Sequence, residues 1–378
     1  MTILITGGAG FIGSSLALKL VNEGKRVRIL DNFNPQIHGD NFLNGNLKNH
    51  TEIIKADIRD QDSLKKALRD VTSIVHLAAE TGTGQSMYEI DRYFSVNVQG
   101  TAVLLDLLQN GDCASSVESI VVASSRAVYG EGAYSCEEHG TVYPHQRIRE
   151  EMEQGVFNPI CPDCGKFVSL VATSEVAPFK PMSFYGLTKQ VQEQAVLLYG
   201  DTHNINTFGL RYQNVYGPGQ SLKNPYTGIL AVFSNLARQN HPIEIYEDGC
   251  ESRDFVYIDD VVEATARCIN FHGKFVGALN VGSGQPTSVM TVAEKIKHYF
   301  KSNSSIGVTG KFRIGDIRHN IADIAKIQGL LDFTPSVSFS DGLSRFLGWA
   351  IELPAEDKEA YTRSVSELSS RGLMGSVK

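Results

Sequence analysis

The chain has 378 residues, 42% hydrophobic and 20% charged, with a net charge of −7. That length admits one large domain or two sharing a cleft, and the acidic balance leaves no electrostatic footprint for nucleic acid. No apolar run approaches the ~20 residues of a membrane span, Met1–Ile5 lacks the basic flank of a signal peptide, and six cysteines are too sparse for a disulfide scaffold. A cytoplasmic protein is expected, with neither nucleic acid nor membrane as partner.

The first stretch, Ile3-Leu4-Ile5-Thr6-Gly7-Gly8-Ala9-Gly10-Phe11-Ile12-Gly13, runs from an apolar strand through three spaced glycines into an amphipathic helix that Gly24 closes. That order is what a dinucleotide site requires: a tight turn at Gly7, close backbone approach at Gly10 and helix–strand packing at Gly13. The diphosphate of a dinucleotide then meets the free amides of the helix N-terminus. A second strand, Val27–Asp31, ends in a carboxylate placed to bind ribose hydroxyls and to repel a 2′-phosphate, which favours NAD over NADP.

Asn32 to Asn49 reads as a loop. A strand at Ile53–Asp57, a helix at Ser63–Leu68 capped by Asp62, a strand at Ser73–Ala79, a helix at Asn97–Leu108 and a strand at Ser119–Ala123 follow. Near-continuous apolar strands separated by helices predict an α/β fold, a Rossmann-type doubly wound parallel sheet. Ligands of such sheets lie at the carboxyl ends of the strands, where Asp31, Asp57, Ala78 and Ser125 fall.

The rhythm breaks between Tyr129 and Tyr185 and resumes with a helix at Phe184–Leu198 and a strand at Thr207–Tyr212. Beyond Gly217-Pro218-Gly219 a smaller mixed α/β region is expected. The predicted division is a dinucleotide-binding unit over 1–214, interrupted by an insert at 131–173, a substrate-binding unit over 215–353, and a polar, frayed tail over 354–378.

Tyr185 and Lys189 are four residues apart, which stacks them on one helical face. A nearby cation favours the phenolate, so the pair can work as a general base. Ser125, directly after an apolar strand, is placed to hold the reacting oxygen while Tyr185 takes its proton. Within the insert, Cys136-x-x-His139-Gly140 and Cys161-x-x-Cys164-Gly165 have the spacing of a tetrahedral Zn²⁺ site. Four protein ligands leave no open position, so a structural zinc is expected, stiffening a lid or an oligomer contact. The insert carries three basic and seven acidic residues, which argues against nucleic acid.

These motifs together resemble the extended short-chain dehydrogenase/reductases, the NAD-dependent nucleotide-sugar epimerases and dehydratases. The resemblance rests on Gly7/Gly10/Gly13, Asp57-Ile58, His76-Leu77-Ala78-Ala79, Asn97-Val98-Gln99-Gly100-Thr101, Ser125, Tyr185/Lys189, Leu210 to Gly217, Arg253-Asp254-Phe255 and Gly315 to His319. It implies that NAD is held by Gly7, Gly10, Phe11, Ile12, Gly13, Asp31, Asn32, Asp57, Ile58, Leu77, Ala78, Ala79, Asn97 and Tyr212, together with Tyr185 and Lys189. Tyr185 is implied as the base and Ser125 as its helper. Asn214, Arg253 and Arg318 match positions that grip the sugar-nucleotide diphosphate. Glu80 and Thr83 fall near the sugar, Glu244 and Tyr246 near the base, and Arg126 is a candidate substrate contact. A homodimer through the helices after Asn97 and around Tyr185 is also implied.

Relatives that dehydrate carry an Asp-Glu pair after the catalytic hydroxyl, and relatives that invert C3 and C5 carry a cysteine two before the following tyrosine. This chain has Arg126 and Ala127 there, which leaves chemistry at one carbinol, a 4-epimerisation. The Cys/His insert with Ala79 to Glu89 resembles the dTDP-L-rhamnose 4-epimerase subgroup. A UDP-hexose or UDP-hexuronate 4-epimerase, a nucleotide-sugar reductase and a non-enzymatic NAD-binding sensor stand as alternatives.

Overall fold

Ile3 and Ile5 enter one apolar core and Leu4 another; Val121 and Ala123 join the first, Ile120 and Val122 the second. Side chains alternate across a strand, so this sheet is covered on both faces. The computed structural model describes residues 1–38, 45–111, 116–222, 228–355 and 358–378. Its seven-stranded sheet runs Thr51–Lys55, Arg26–Asp31, Thr2–Thr6, Ser73–His76, Ser119–Ser125, Asn206–Tyr212, Val276–Val281. Every pairing is parallel. The order reverses between the strands at 2–6 and 73–76, which opens the crevice where such sheets bind ligands.

Helices Phe11–Asn22 and Ile258–Ile269 bury Leu16, Leu20, Val261 and Ala264 on one face. Helices Gln61–Ala67, Gly100–Asn110 and Phe184–His203 place Leu64, Leu104 and Val196 on the other. The smaller region holds a three-stranded sheet of Asn214–Tyr216, Ser252–Tyr257 and Pro286–Ser288, and a pair of Ile243–Ile245 with Ile306–Val308. The insert forms its own antiparallel sheet of Tyr134–Cys136, Gly140–Val142 and Ser169–Leu170.

Several expectations need redrawing. The strand at 276–281, assigned by sequence to the smaller unit, is the edge strand of the large sheet beside Asn206–Tyr212. The intervening chain is the crossover that a parallel neighbour needs, so one core runs through both regions. The stretch read as a loop over 32–49 contains helices Pro35–His38 and Gly45–His50, while residues 39–44 lie outside the described ones. Asp60, not Asp62, caps the following helix, its carboxylate accepting the amides of Asp62 at 3.1 Å and Ser63 at 3.3 Å. Ahead of helix Gly100–Asn110, Phe94–Gln99 forms a π-helical turn that contains Asn97.

The tail is not frayed. Helix Lys358–Ser370 and strand Met374–Ser376 return to the body, the strand pairing antiparallel with Lys311–Arg313. Leu368 and Ser364, apolar and small on one helical face, are both buried there.

Candidate active site and metal centre

The glycine turn is shaped by the protein's own backbone. Gly7 has φ +69°, and a Cβ there would stand 2.7 Å from the Ala78 nitrogen; at Gly13 it would stand 2.4 Å from the Gly7 carbonyl oxygen. At Gly10 a Cβ would stand 3.3 Å from the Gly7 carbonyl oxygen, a tight contact with backbone, and would meet no other atom within 4 Å. Gly10 precedes helix Phe11–Asn22 with no side-chain cap, which leaves the first-turn amides at Phe11 and Ile12 available to an anion. Asp31, ending its strand, accepts the Ala9 amide at 3.0 Å and the Phe33 amide at 2.9 Å. Leu77, Ala78 and Ala79 complete the floor, the Leu77 amide donating to the Thr6 carbonyl at 3.0 Å. This cradle fits the diphosphate and ribose of a dinucleotide.

Other residues expected at the dinucleotide turn inward. Asn97 is fully buried; its amide accepts from Glu80 N–H at 2.7 Å and donates to the Glu80 carbonyl at 3.1 Å and Thr188 Oγ1 at 2.9 Å. It pins the Glu80 loop to helix Phe184–His203. The Tyr212 hydroxyl pairs with Thr265 at 2.8 Å inside the core. Ile58 is buried against Gly100, where a Cβ would stand 2.5 Å from its side chain. The Asp57 carboxylate is taken by Arg59 at 2.7 and 2.9 Å, which holds it down to about 2, with Asn32 at 3.4 Å.

At the reacting end, Ser125 terminates its strand and its Oγ accepts the Ala127 amide at 3.2 Å. Ser183 caps helix Phe184–His203 by accepting the Gly186 amide at 3.1 Å. A Cβ at Gly186 would stand 2.5 Å from the Ala127 carbonyl oxygen. Glycine at that position lets the first helical turn sit against the 126–128 turn, which brings Tyr185 beside Ser125. Lys189, one turn on, is buried and donates to the Ala123 carbonyl at 2.9 Å.

Burial sets the proton affinities. Desolvation pulls the Lys189 ammonium down to about 7. It pushes the Tyr185 phenol up, while the Ser125 hydroxyl and the Arg126 charge pull the other way. The direct Lys189–phenol interaction expected from spacing is absent among the groups acting on Tyr185, because the ammonium is turned to the strand carbonyl.

Arg126 begins the turn after Ser125, and its guanidinium has no hydrogen-bond or ion-pair partner among the described residues. Burial and the nearby Arg253 charge pull it down to about 10. Arg253 donates to the carbonyls of Arg318 at 2.9 Å and Ile317 at 2.8 Å and to Asp316 at 3.1 Å. Asn214 has a buried Oδ1 with no partner, a polar atom open to a ligand.

Arg318, expected at the diphosphate, is otherwise engaged. It is 1% exposed, and its three nitrogens bond Glu247 at 2.9 Å, Asp248 at 2.6 Å and Asn158 at 3.3 Å. Arg147 bridges Glu131 at 2.9 Å and Glu247 at 2.8 Å, so Arg318 belongs to a network locking the insert to the body. Glu80 is held by Arg92 at 2.8 Å, Thr83 is exposed at the start of helix Thr83–Ser86, and Glu244 pairs with Lys311 at 2.7 Å on the surface. Tyr246 lies beneath the Arg313 guanidinium, 5.1 Å from ring to charge.

In the insert, the four candidate ligand atoms of Cys136, His139, Cys161 and Cys164 all lie within 4.8 Å of one another. Cys136 Sγ is 3.6 Å from His139 Nδ1 and 3.7 Å from Cys164 Sγ, and Cys161 Sγ is 3.6 Å from His139 Nδ1. A tetrahedron with Zn–S near ~2.3 Å and Zn–N near ~2.05 Å has S···S edges of about 3.8 Å and S···N edges of about 3.6 Å. The donor set and these three edges fit zinc. Gly140 and Gly165, at φ +66° and +71°, supply the turn behind each hook. The surrounding apolar cluster is Tyr134, Val142, Val168 and Leu170, too small to hold the segment alone.

Two family models match the chain, GDP-mannose 4,6 dehydratase over residues 4–146 and the NAD dependent epimerase/dehydratase family over 161–282. A dTDP-L-rhamnose 4-epimerase from Burkholderia thailandensis is 39% identical over 92% of this chain and 94% of its own. The chain belongs to the NAD dependent epimerase/dehydratase family. Within this family, a putative UDP-glucose 4-epimerase from Methanocaldococcus jannaschii is 31% identical over 92% of this chain and 97% of its own. The structure of UDP-glucuronic acid 4-epimerase from Bacillus cereus, in complex with UDP-glucuronic acid and NAD, superposes with a TM-score of 0.75 at 26% identity, covering 94% of this chain and 100% of that one.

Against this family frame, two groups escaped the sequence reading. Arg313 has a buried Nε with no partner and lies near Asp316; nothing in Lys311-Phe312-Arg313 distinguishes it from a surface arginine. Glu193 and Arg211 form a buried pair at 2.6 Å, and Ser124 bonds the same carboxylate. The Ser124–Glu193 bond ties helix Phe184–His203 to the strand bearing Ser125, and the Arg211 guanidinium, on the neighbouring strand, also reaches the Tyr129 hydroxyl at 2.9 Å.

The Gly13 contact is directly testable. Gly13→Ala is expected to abolish NAD retention, because the new methyl must displace the Gly7 carbonyl that shapes the turn. Cofactor content after gel filtration is the measurement, and wild-type content in the variant would refute the packing argument.

Proposed function

We propose that this chain is an NAD-dependent 4-epimerase of a nucleotide-diphosphate sugar, interconverting dTDP-L-rhamnose and dTDP-6-deoxy-L-talose. The observation that carries the reaction type is Ser125, Tyr185 and Lys189 gathered at the carboxyl edge of the sheet, with Arg126 and Ala127 where dehydration would need an acid and a base. The 39% identity to a dTDP-L-rhamnose 4-epimerase supports the substrate.

NAD, when bound, supplies reversible acceptance of the C4 hydride. Its diphosphate would be held by the turn at Gly7, Gly10 and Gly13 with the amides of Phe11 and Ile12, and its adenosine ribose by Asp31 and Asn32. Ser125 holds the sugar O4 while Tyr185 takes its proton, the Ser125 hydroxyl and the Arg126 charge opposing the upward pull of burial on the phenol, and Lys189, one turn on, is the residue read as bonding the nicotinamide ribose. The 4-keto sugar then turns over, and Tyr185 returns the proton to the same oxygen once the opposite face is presented. Arg313, with Asn214, suits the substrate diphosphate, since guanidinium groups match phosphate oxygens, whereas Arg253 spends both terminal nitrogens on the Ser252, Arg318 and Ile317 carbonyls and on Asp316 and keeps only its Nε.

Arg126 favours a second reading. An unpartnered guanidinium beside Tyr185 also suits a C6 carboxylate, the distinguishing group of a UDP-hexuronate. Proton NMR of the protein with dTDP-L-rhamnose, UDP-glucuronic acid or UDP-galactose, without added cofactor, separates the readings. A C4 epimer from the first alone is the expected result. Turnover of a UDP sugar alone would replace the substrate, and demand for added NAD(P)H would make the protein a reductase.

The insert is read as a structural zinc module, since all four positions are filled by protein. A homodimer through helices Gly100–Asn110 and Phe184–His203 is supported by the surface groove between them, lined by Val98, Ala102, Leu105, Val191, Ala195 and Tyr199. No helix among the described residues is long and apolar enough to cross a membrane.

A further inference from the structure

The C-terminal segment touches three separate parts of the chain. At the first, Leu368 is 4% exposed and packs over Gly84, where a Cβ would lie 3.6 Å from its Cδ1. Beside it, the Tyr88 hydroxyl donates to Glu367 at 2.8 Å, and the Arg371 guanidinium stands 4.3 Å from the Tyr88 ring. At the second, Tyr361 Oη lies 3.2 Å from Tyr246 Oη, and strand Met374–Ser376 pairs with Lys311–Arg313. At the third, Arg149 of the insert bonds the Gly372 carbonyl and Lys378 pairs with Glu153.

The middle contact points to a ligand. Tyr361 and Arg313 bracket Tyr246, and the Arg313 Nε is buried with no partner. Arg313, Arg253 and Arg126 all act on the single carboxylate of Asp316, which leaves a cationic excess beside two tyrosines. A flat aromatic surface next to guanidinium groups suits a nucleoside diphosphate.

We propose that residues 361–376 form one wall of the nucleotide-sugar pocket, with Tyr361 as a positioning residue that sets Tyr246 and Arg313 for the nucleoside diphosphate. The proposal rests on the nucleotide-sugar reading above. The strap holds the Tyr88 loop and the insert against the same pocket, so nucleotide affinity depends on the tail while the dinucleotide site does not.

Calorimetric titration of the full-length, NAD-loaded protein with TDP and with UDP tests this. Tyr361→Ala and Leu368→Asp are expected to weaken nucleotide binding by about tenfold or more, raising KM and leaving NAD content and kcat near wild type. Tyr361→Phe, which keeps the ring and loses one hydroxyl contact, is expected to recover most of the affinity. Unchanged nucleotide affinity in both Tyr361→Ala and Leu368→Asp overturns the proposal. Loss of NAD together with nucleotide binding also overturns it, since the segment would then be a general brace. A wild-type protein that holds NAD but binds neither nucleotide overturns the nucleotide-sugar reading itself, and this inference with it.

Discussion

Tyr185→Phe is expected to lower kcat by about 10²–10⁴-fold, the usual weight of a positioned general acid–base, with NAD content unchanged. The substitution removes one oxygen and keeps the ring, whose edge-to-face contact with Tyr93 at 6.4 Å preserves the packing of the first helical turn. On the proposed mechanism, what is lost is the atom that takes the O4 proton and returns it. Ser125 cannot replace it, because an alkyl hydroxyl is a far weaker acid than a phenol and its Oγ already accepts the Ala127 amide. Steady-state kinetics with a parallel cofactor assay make the measurement. Wild-type turnover in the variant would dismiss Tyr185 as the base.

Cys161→Ser is expected to empty the metal site and to release the insert as a unit. Cys161 is 1% exposed and lies 3.6 Å from His139 Nδ1, so its sulfur forms a buried corner of the cluster. Metal binding in such small modules is itself the folding free energy, about 10–16 kcal/mol in isolated zinc-finger peptides. Mass spectrometry under native conditions should show one zinc per wild-type chain and none in the variant, with a lower Tm and early proteolysis within 131–173. The Arg147 and Arg318 network to Glu131 and Glu247 then loses its anchor on the insert side. A wild-type chain that is metal-free and fully stable would refute the zinc reading.

The parts of the site legible in sequence are those written in short spacings. Gly7, Gly10 and Gly13 act within one turn, Tyr185 and Lys189 within one helical turn, and each Cys-x-x-ligand hook within four residues. Their spacing follows from local backbone rules, although the direction of a side chain does not: packing turned the Lys189 ammonium to the Ala123 carbonyl. Arginines behaved differently. Arg318 and Arg313 lie in one short stretch and look alike in sequence, yet one is consumed by Glu247 and Asp248 while the other retains an unpartnered nitrogen. Asn97 met the same fate, its amide closed on Glu80 and Thr188. The tail was misread because polarity was taken for solvation, although one face of its helix carries Leu368 and Ser364 into the body.

By itself, then, the sequence determined the parallel α/β sheet, the glycine turn between first strand and first helix, the shared helix of Tyr185 and Lys189 and the two Cys-x-x-ligand spacings. The reason is physical: apolar periodicity, glycine spacing and i to i+4 stacking are properties of contiguous chain. Only the tertiary structure decided that the strand at 276–281 closes the large sheet, that the side chains of the two hooks come within 4.8 Å of one another, that Arg318 is spoken for, and that the tail lies beside Tyr246. Those outcomes depend on pairing between residues tens to hundreds of positions apart, and a charge or hydroxyl carries no local mark of the partner that folding will bring to it.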